Sequence, residues 1–367
     1  MRLTAVMLMV ILGFGCSHEP FSPIENELEI KAQWYQSYPD ERQVHIDTGL
    51  IWTFSFLGAQ LPLNSYSHAT KWTKNQLKID FSRLGFDPVV LPQIASILAE
   101  IKRSEEYKVN GGVDIGRLVS TLLIESNHYY SITQAPKRLV LDDGAFEDSC
   151  MIMQSSVSPH PRMILLPKST VQPALRFLAK EGVFDSVNSN MTAQEFEVID
   201  VMKNGQLRFS IYDKNRKRVL WANPELSFGG KPSKCLWCHE TVLNPNFTNS
   251  TSHPDFLSVE DFNERIENDQ EALALRREGL VTDIDFTERQ AHTYCELLYI
   301  GYYEPSLKRL AQEWGMSDTD AAKRLKNEST HTHVEFSFFE SLYHRSDVDH
   351  LSPVQHVLTP LSTRESE

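Results

Sequence analysis

Five consecutive residues carry the clearest chemical signal in this sequence of 367 residues. They read Cys235-Leu236-Trp237-Cys238-His239, so two thiols and an imidazole stand at positions i, i+3 and i+4. On a helix this spacing puts all three side chains on one face. With 5 cysteines and 13 histidines in the chain, about 0.002 such patterns are expected by chance. The pattern therefore indicates a site built for a metal or a cofactor.

The motif resembles the haem-attachment motif of the c-type cytochromes. The resemblance covers five residues and implies that Cys235 and Cys238 form thioethers with one covalently bound haem c. It also implies that His239 is the proximal ligand of the haem iron. In a small cytochrome c the motif lies near the start of a helical domain, whereas more than 200 residues precede it here. We therefore expect a protein larger than a bare electron carrier.

The ligand on the other side of the iron has several candidates. Met316, 77 residues after His239, would supply a thioether that raises the reduction potential. His253 would give a bis-histidine site of lower potential. Further candidates are His292, His331 and His333. A sixth position without a protein ligand is the remaining alternative, and it would suit peroxide or small-ligand chemistry.

Two other chemistries fit the same pair of cysteines. With His239 or His253 they would be zinc ligands, but a structural zinc site needs four ligands. The other candidate cysteines, Cys150 and Cys295, stand alone in the sequence, although an oxidising compartment also allows a disulfide between them. A reversible redox disulfide within the motif is the second alternative. That chemistry usually follows the first strand of a βαβ unit, which the sequence does not predict here.

The first sixteen residues predict export. Arg2 precedes an apolar stretch at positions 3–14, which Gly15 and Cys16 follow. A membrane-spanning helix needs about 20 apolar residues, so this shorter stretch is typical of a secretion signal. Its end resembles the processing site of a bacterial lipoprotein, in which Cys16 would become the lipidated first residue. An ordinary signal peptide cut nearby is the alternative.

The fold class predicted for the chain is α+β, with helical segments flanking a small antiparallel sheet. Residues 1–15 are the predicted signal peptide, and 16–45 form a tether with prolines and many polar residues. An α+β domain is expected over 46–232. A mainly helical, haem-binding region is expected over 233–367, which places the motif between the sheet and the C-terminal helices.

Local patterns support these elements. An apolar stripe with helical spacing runs through Ile94, Ile97, Leu98 and Ile101. Asn204-Gly205 lies between two strand-like segments and predicts a hairpin with a type I′ turn. Together with the following strand, these segments predict a meander of three strands.

The composition narrows the function classes. The formal net charge is −13, and no basic run is long enough to form a surface for nucleic acid. The predicted function is electron transfer by a c-type haem protein at the periplasmic or outer-membrane face. Its expected partners are an unidentified redox protein and, through the lipid anchor, a membrane. A peroxidase-like haem enzyme and a zinc-binding lipoprotein are the alternatives.

Overall fold

The computed structural model describes residues 27–141, 146–152, 158, 160–168, 175–185, 187–188, 190–244 and 255–354. The predicted signal peptide, Cys16 and His253 lie outside these ranges. Within them, no helix has the length and apolar character needed to cross a bilayer.

The strands of the described residues form two sheets. They are β1 (Glu29–Gln33), β2 (Thr70–Thr73), β3 (Gln76–Asp80), β4 (Val113–Asp114), β5 (Phe146–Ile152), β6 (Arg162–Pro167), β7 (Arg176–Asp185), β8 (Asn190–Val201), β9 (Leu207–Asp213) and β10 (Arg218–Val219). The first four form a mixed sheet in the order β2-β3-β1-β4, in which β1 and β4 run parallel. The other six form an antiparallel meander in chain order.

Helices surround both sheets. They are α1 (Gln43–Phe56), α2 (Ser65–Ala69), α3 (Leu91–Arg103), α4 (Glu105–Asn110), α5 (Ile115–Val119), α6 (Ser126–Ile132), α7 (Pro232–His239), α8 (Val259–Glu278), α9 (Thr293–Tyr303), α10 (Leu307–Glu313), α11 (Asp318–Arg324) and α12 (Arg345–Val348). A π-helical segment, Ser120–Ile124, follows α5. The predicted stripe lies on α3, where all four of its isoleucine and leucine side chains are buried.

The α+β prediction is confirmed, and the sheets are more extensive than expected. The antiparallel sheet has six strands rather than three, because β5, β6 and β7 extend the predicted meander on one side. The mixed sheet near the start of the described chain was not predicted. Its strands have two to five residues each, too few for a clear alternating pattern.

The hairpin between β8 and β9 is confirmed, but the predicted type I′ turn is wrong. Gly205 has a φ of +81°, whereas Asn204 is not left-handed, and a type I′ turn needs positive φ at both residues. The loop is the three-residue kind that closes with a left-handed glycine. The Asn204 side chain donates to the carbonyl oxygens of Ser55 (2.7 Å) and Ala59 (2.8 Å). This contact with the end of α1 holds the turn.

One hydrophobic core joins the two regions predicted from the sequence. It includes Leu50 and Phe54 of α1, Leu207 of β9, and Leu297 and Leu298 of α9. Residues before and after position 232 therefore pack together in a single cluster, and α7 lies where the chain passes from the meander to the C-terminal helices.

Candidate functional site

Helix α7 spans the motif. Pro232 is its first residue, where a missing N–H costs nothing and the fixed φ favours the helix. The helix ends because Glu240 adopts a φ of +53°, while its N–H donates to the carbonyl of Leu236 at 2.7 Å. Cys235, Cys238 and His239 therefore share one helix face, as their spacing predicts.

All three motif side chains line the same cavity. Its empty space, including the solvent at its open mouth, is about 1070 Å³. The lining is mainly apolar and includes Leu243, Phe262 and Ile266. Such a cavity suits a mostly apolar group.

The meander supplies the facing wall. Alternate residues of its strands point to one face of the sheet, and those that line the cavity include Ile164, Phe177, Ala179, Ile199, Phe209 and Ile211. Other residues of these strands, including Leu178, Phe196 and Tyr212, pack in a separate cluster. The period-2 pattern of the strands thus gives the cavity its apolar wall.

His239 is held as a neutral imidazole. Its ring centroid lies 5.5 Å from that of Phe209. Burial, followed by the positive charge of Arg162, lowers the pKa of His239 to about 4. Its Nδ1 atom is buried and has no hydrogen-bond partner among the described residues. A neutral imidazole is the form of histidine that binds a metal.

The two motif thiols do not have the character of a redox pair. Cys235 and Cys238 are free in the structure. Burial raises the pKa of both thiols, whereas a redox dithiol depends on a thiol pKa that is lowered. The alternative disulfide is not formed either: Cys150 is free in β5, and Cys295 is free beside the Thr53 hydroxyl at 3.2 Å.

The donor atoms of the motif are also not arranged as a zinc site. A tetrahedral site brings its ligand atoms within a few ångströms of one another. In the described part of the chain, the one group of three or more His, Cys, Asp or Glu donors within 4.8 Å of one another is Glu181, Glu195 and Glu197. The motif cysteines and His239 are not such a group.

A charged cluster includes Arg162 and Glu197 of the cavity lining, and the sequence analysis did not predict it. Arg162 Nε lies 2.8 Å from Glu181 Oε1, and Arg162 Nη2 lies 2.6 Å from Glu197 Oε2. Glu195 lies beside them and accepts from the backbone N–H of Asn223 at 2.7 Å. The only sequence signal for this cluster is that Glu195 and Glu197 stand at alternate positions of a predicted strand. The residues that they meet on other strands depend on the register of the six strands, which a local pattern does not predict.

The predicted distal ligands that the structure describes lie away from this cavity. Met316 packs beside the cluster of Leu310 and Leu325 and does not line the cavity. His292 Nε2 lies 3.4 Å from Glu240 Oε1. His331 and His333 both approach the carboxylate of Glu304, at 3.0 and 4.0 Å. Among the described residues that line the cavity, His239 is the only histidine and there is no methionine.

The chain was compared with known proteins at three levels. It matches no protein family, no curated protein and no solved structure.

Proposed function

We propose that this chain is an exported c-type haem protein that transfers electrons at the periplasmic or outer-membrane face. The observation that carries the proposal is that Cys235, Cys238 and His239 line one apolar cavity from a single helix. Cys235 and Cys238 would hold the haem covalently, and His239 would bind its iron. The haem would supply a one-electron redox centre.

The residues around the cavity suit this group. The Nδ1 atom of His239 is buried and has no hydrogen-bond partner within the described structure. The sheet wall offers isoleucine and phenylalanine side chains to an apolar ring system. It also keeps water from one side of the site, which lowers the local dielectric and makes the potential sensitive to nearby charge.

The proposal also includes the compartment in which the protein acts. The predicted signal would carry the chain out of the cytoplasm, and lipid on Cys16 would tether it to the outer membrane. A redox protein is the expected partner. Covalent attachment would keep the haem on the protein in this compartment.

The test is a reduced pyridine haemochrome spectrum of the full chain, expressed with haem-attachment machinery. We expect one covalent haem per chain, and none in the Cys235→Ala, Cys238→Ala variant. The matched control is Cys150→Ala, Cys295→Ala, which removes two buried cysteines outside the motif and should retain the haem. A colourless wild-type protein would refute the proposal, and bound zinc in that sample would support the zinc alternative.

An open sixth position is a second candidate, and it would make the protein a haem enzyme of the peroxidase type. The absence of methionine and of a second histidine from the described cavity lining favours it. Carbon monoxide added to the reduced protein distinguishes the two roles. A spectral shift within the mixing time indicates an open iron, whereas an unchanged spectrum indicates a carrier with two strong ligands.

A further inference from the structure

The chain turns sharply directly after His239. Glu240 has a φ of +53° and a ψ of −107°, and the N–H of Val242 donates to the carbonyl oxygen of His239 at 2.9 Å. These angles are close to those of the first central residue of a type II′ turn, a position that favours glycine. Glu240 therefore holds a backbone conformation that a residue with a side chain rarely adopts.

Such a conformation persists only where surrounding contacts hold it, and buried Thr241 makes several of them. Its hydroxyl donates to Gln206 Oε1 at 3.1 Å. Its carbonyl and hydroxyl oxygens both accept from Arg277 Nη2 at 2.8 Å. Gln206 is itself fully buried and donates to Ser55 Oγ of α1 at 2.8 Å. Thr241 is thus tied to α8 and, through Gln206, to α1.

The residues on either side of Thr241 are held as well. Glu240 Oε1 lies 3.4 Å from Nε2 of His292, which directly precedes α9. The N–H of Leu243 donates to Gln270 Oε1 of α8 at 2.7 Å. The surrounding structure therefore fixes the chain at several points directly after the motif helix.

This turn also contacts the imidazole of His239. Although burial acts to lower the pKa of His239, a hydrogen bond with the backbone of Val242 acts to raise it. A hydrogen bond from the ring to a backbone carbonyl is a common way to fix the orientation of a metal-binding imidazole. On its other side the ring packs near Phe209 of β9, with 5.5 Å between the two centroids. The position of the ring therefore depends on the conformation of the turn.

We propose that Glu240 and Thr241 are positioning residues that hold the imidazole of His239 in the cavity by keeping this turn in its strained conformation. Thr241 is the anchor. Without the bonds of its hydroxyl, Glu240 would relax to an ordinary backbone conformation and would move His239. This inference rests on the proposed function, because it explains what orients the iron ligand.

The first test uses the full chain expressed without haem and with isotope-labelled histidine. A nuclear Overhauser effect between the rings of His239 and Phe209 reports the orientation of the imidazole. We expect Thr241→Val to lose this signal and Thr241→Ser, which keeps the hydroxyl, to retain it. The matched control is Thr133→Val, which removes another buried threonine hydroxyl, bonded to the carbonyl of Tyr129 at 2.7 Å. The control should keep the wild-type signal.

A second substitution at Glu240 tests whether strain is the reason for the anchor. Glycine accepts positive φ without strain, so Glu240→Gly, Thr241→Val should regain the signal between the two rings. Glu240→Ala, Thr241→Val should not regain it, because alanine keeps a Cβ atom. Both double variants lose the contact with His292, so the comparison isolates the backbone conformation.

The haem-loaded protein gives a spectroscopic readout. Thr241→Val should carry as much covalent haem as the wild type, since both motif cysteines remain. The concentration of added imidazole that replaces half of the His239 ligand should fall by about fivefold or more, because the ring is no longer held. Glu240→Gly, Thr241→Val should restore the wild-type concentration. A wild type without haem would refute the proposed function, and the signal between the two rings would still decide the role of the turn.

Urea unfolding keeps the proposal testable if Thr241→Val does not fold. With Thr241 in place, Glu240→Gly should unfold at a higher urea concentration than Glu240→Ala, although glycine usually lowers stability relative to alanine. An equal or lower midpoint for Glu240→Gly would overturn the proposal. So would a folded Thr241→Val variant with the wild-type ring signal, or a lost signal that glycine at position 240 does not restore.

Discussion

At the scale of single residues, Arg162 supplies the positive charge that compensates the carboxylates beside the cavity. It contacts two carboxylates on neighbouring strands, and its side chain is 11% exposed. Arg176 provides a useful contrast. It pairs with Asp200 at 2.7 Å, but it is 37% exposed, and Arg208 contacts the same carboxylate at 2.9 Å. The two arginines therefore differ in burial and in whether another cation can replace them.

Arg162→Gln should destabilise the protein by about 3–5 kcal/mol, because it leaves buried carboxylates without their cation. Arg176→Gln should cost about 0–1 kcal/mol, since its ion pair is partly solvated and Asp200 keeps Arg208. Urea unfolding of both variants measures the difference. Equal losses of stability would contradict this account of Arg162.

Under the proposed function, His239→Ala should keep the covalent haem, because both motif cysteines remain, but should change its absorption spectrum. We expect imidazole added to the variant to restore a histidine-like spectrum, since the ring it replaces is neutral. The control is His68→Ala, an exposed histidine on α2. An unchanged spectrum in His239→Ala would show that this residue does not bind the iron.

At the scale of elements, the loop between β10 and α7 sets the position of the motif against the sheet. Ser227 donates to Glu197 Oε1 on β8, and the N–H of Gly229 donates to Ser227 Oγ at 3.0 Å. A Cβ atom at Gly229 would lie 2.7 Å from Glu197 Oε1. A side chain at this position would have to displace the Glu197 carboxylate from its contacts with Ser227 and Arg162.

Gly229→Ala should cost about 1–3 kcal/mol, because the added methyl group displaces the Glu197 carboxylate from its contacts with Ser227 and Arg162. The comparison is Gly279→Ala at the end of α8, where the nearest atom to an added Cβ would lie at 3.5 Å, an ordinary contact. Chemical denaturation gives the two losses of stability. If Gly229→Ala were as stable as Gly279→Ala, the close approach of the loop would not be needed for folding.

At the scale of the whole molecule, a buried ionic network joins the C-terminal helices to the mixed sheet. Arg309 Nε and Arg345 Nη2 contact Glu313 Oε1 at 2.9 and 2.7 Å. Arg309 Nη2 also reaches Asp114 Oδ2 of β4 at 2.6 Å. Because α10, α12 and β4 are far apart in the chain, the network links segments whose association the sequence does not predict.

This network should make stability fall in acid. Although burial acts to raise it, the charges of Arg345 and Arg309 hold the pKa of Glu313 well below its ordinary value of 4.5. The unfolded chain therefore binds the proton more readily, so the stability from Glu313 is complete above its ordinary pKa and is lost as pH falls below that value. Urea unfolding of the wild type and Glu313→Gln should differ most near neutral pH.

The difference in unfolding free energy between these two proteins should shrink as pH falls from about 6 to about 3. Glu267→Gln is the control, because Glu267 lies on the exposed face of α8. A difference that stays constant with pH would mean that Glu313 is not ionised in the folded protein.

The amino-acid sequence alone determined the helical motif, the stripe on α3 and the α+β class. These are local features, because each depends on residues three or four apart or on strand alternation. The motif also predicts its own chemistry, because its three functional side chains lie within five residues.

Only the tertiary structure decided what surrounds the motif. Arg162 and Glu181 are 19 residues apart, and β-sheet register pairs them directly. The turn at Gly205 differs from the predicted type because Asn204 bonds to the end of α1, and Met316 lies away from the cavity because it packs with α10 and α11. Contacts between distant segments control these features, and no local pattern encodes the distance between such segments.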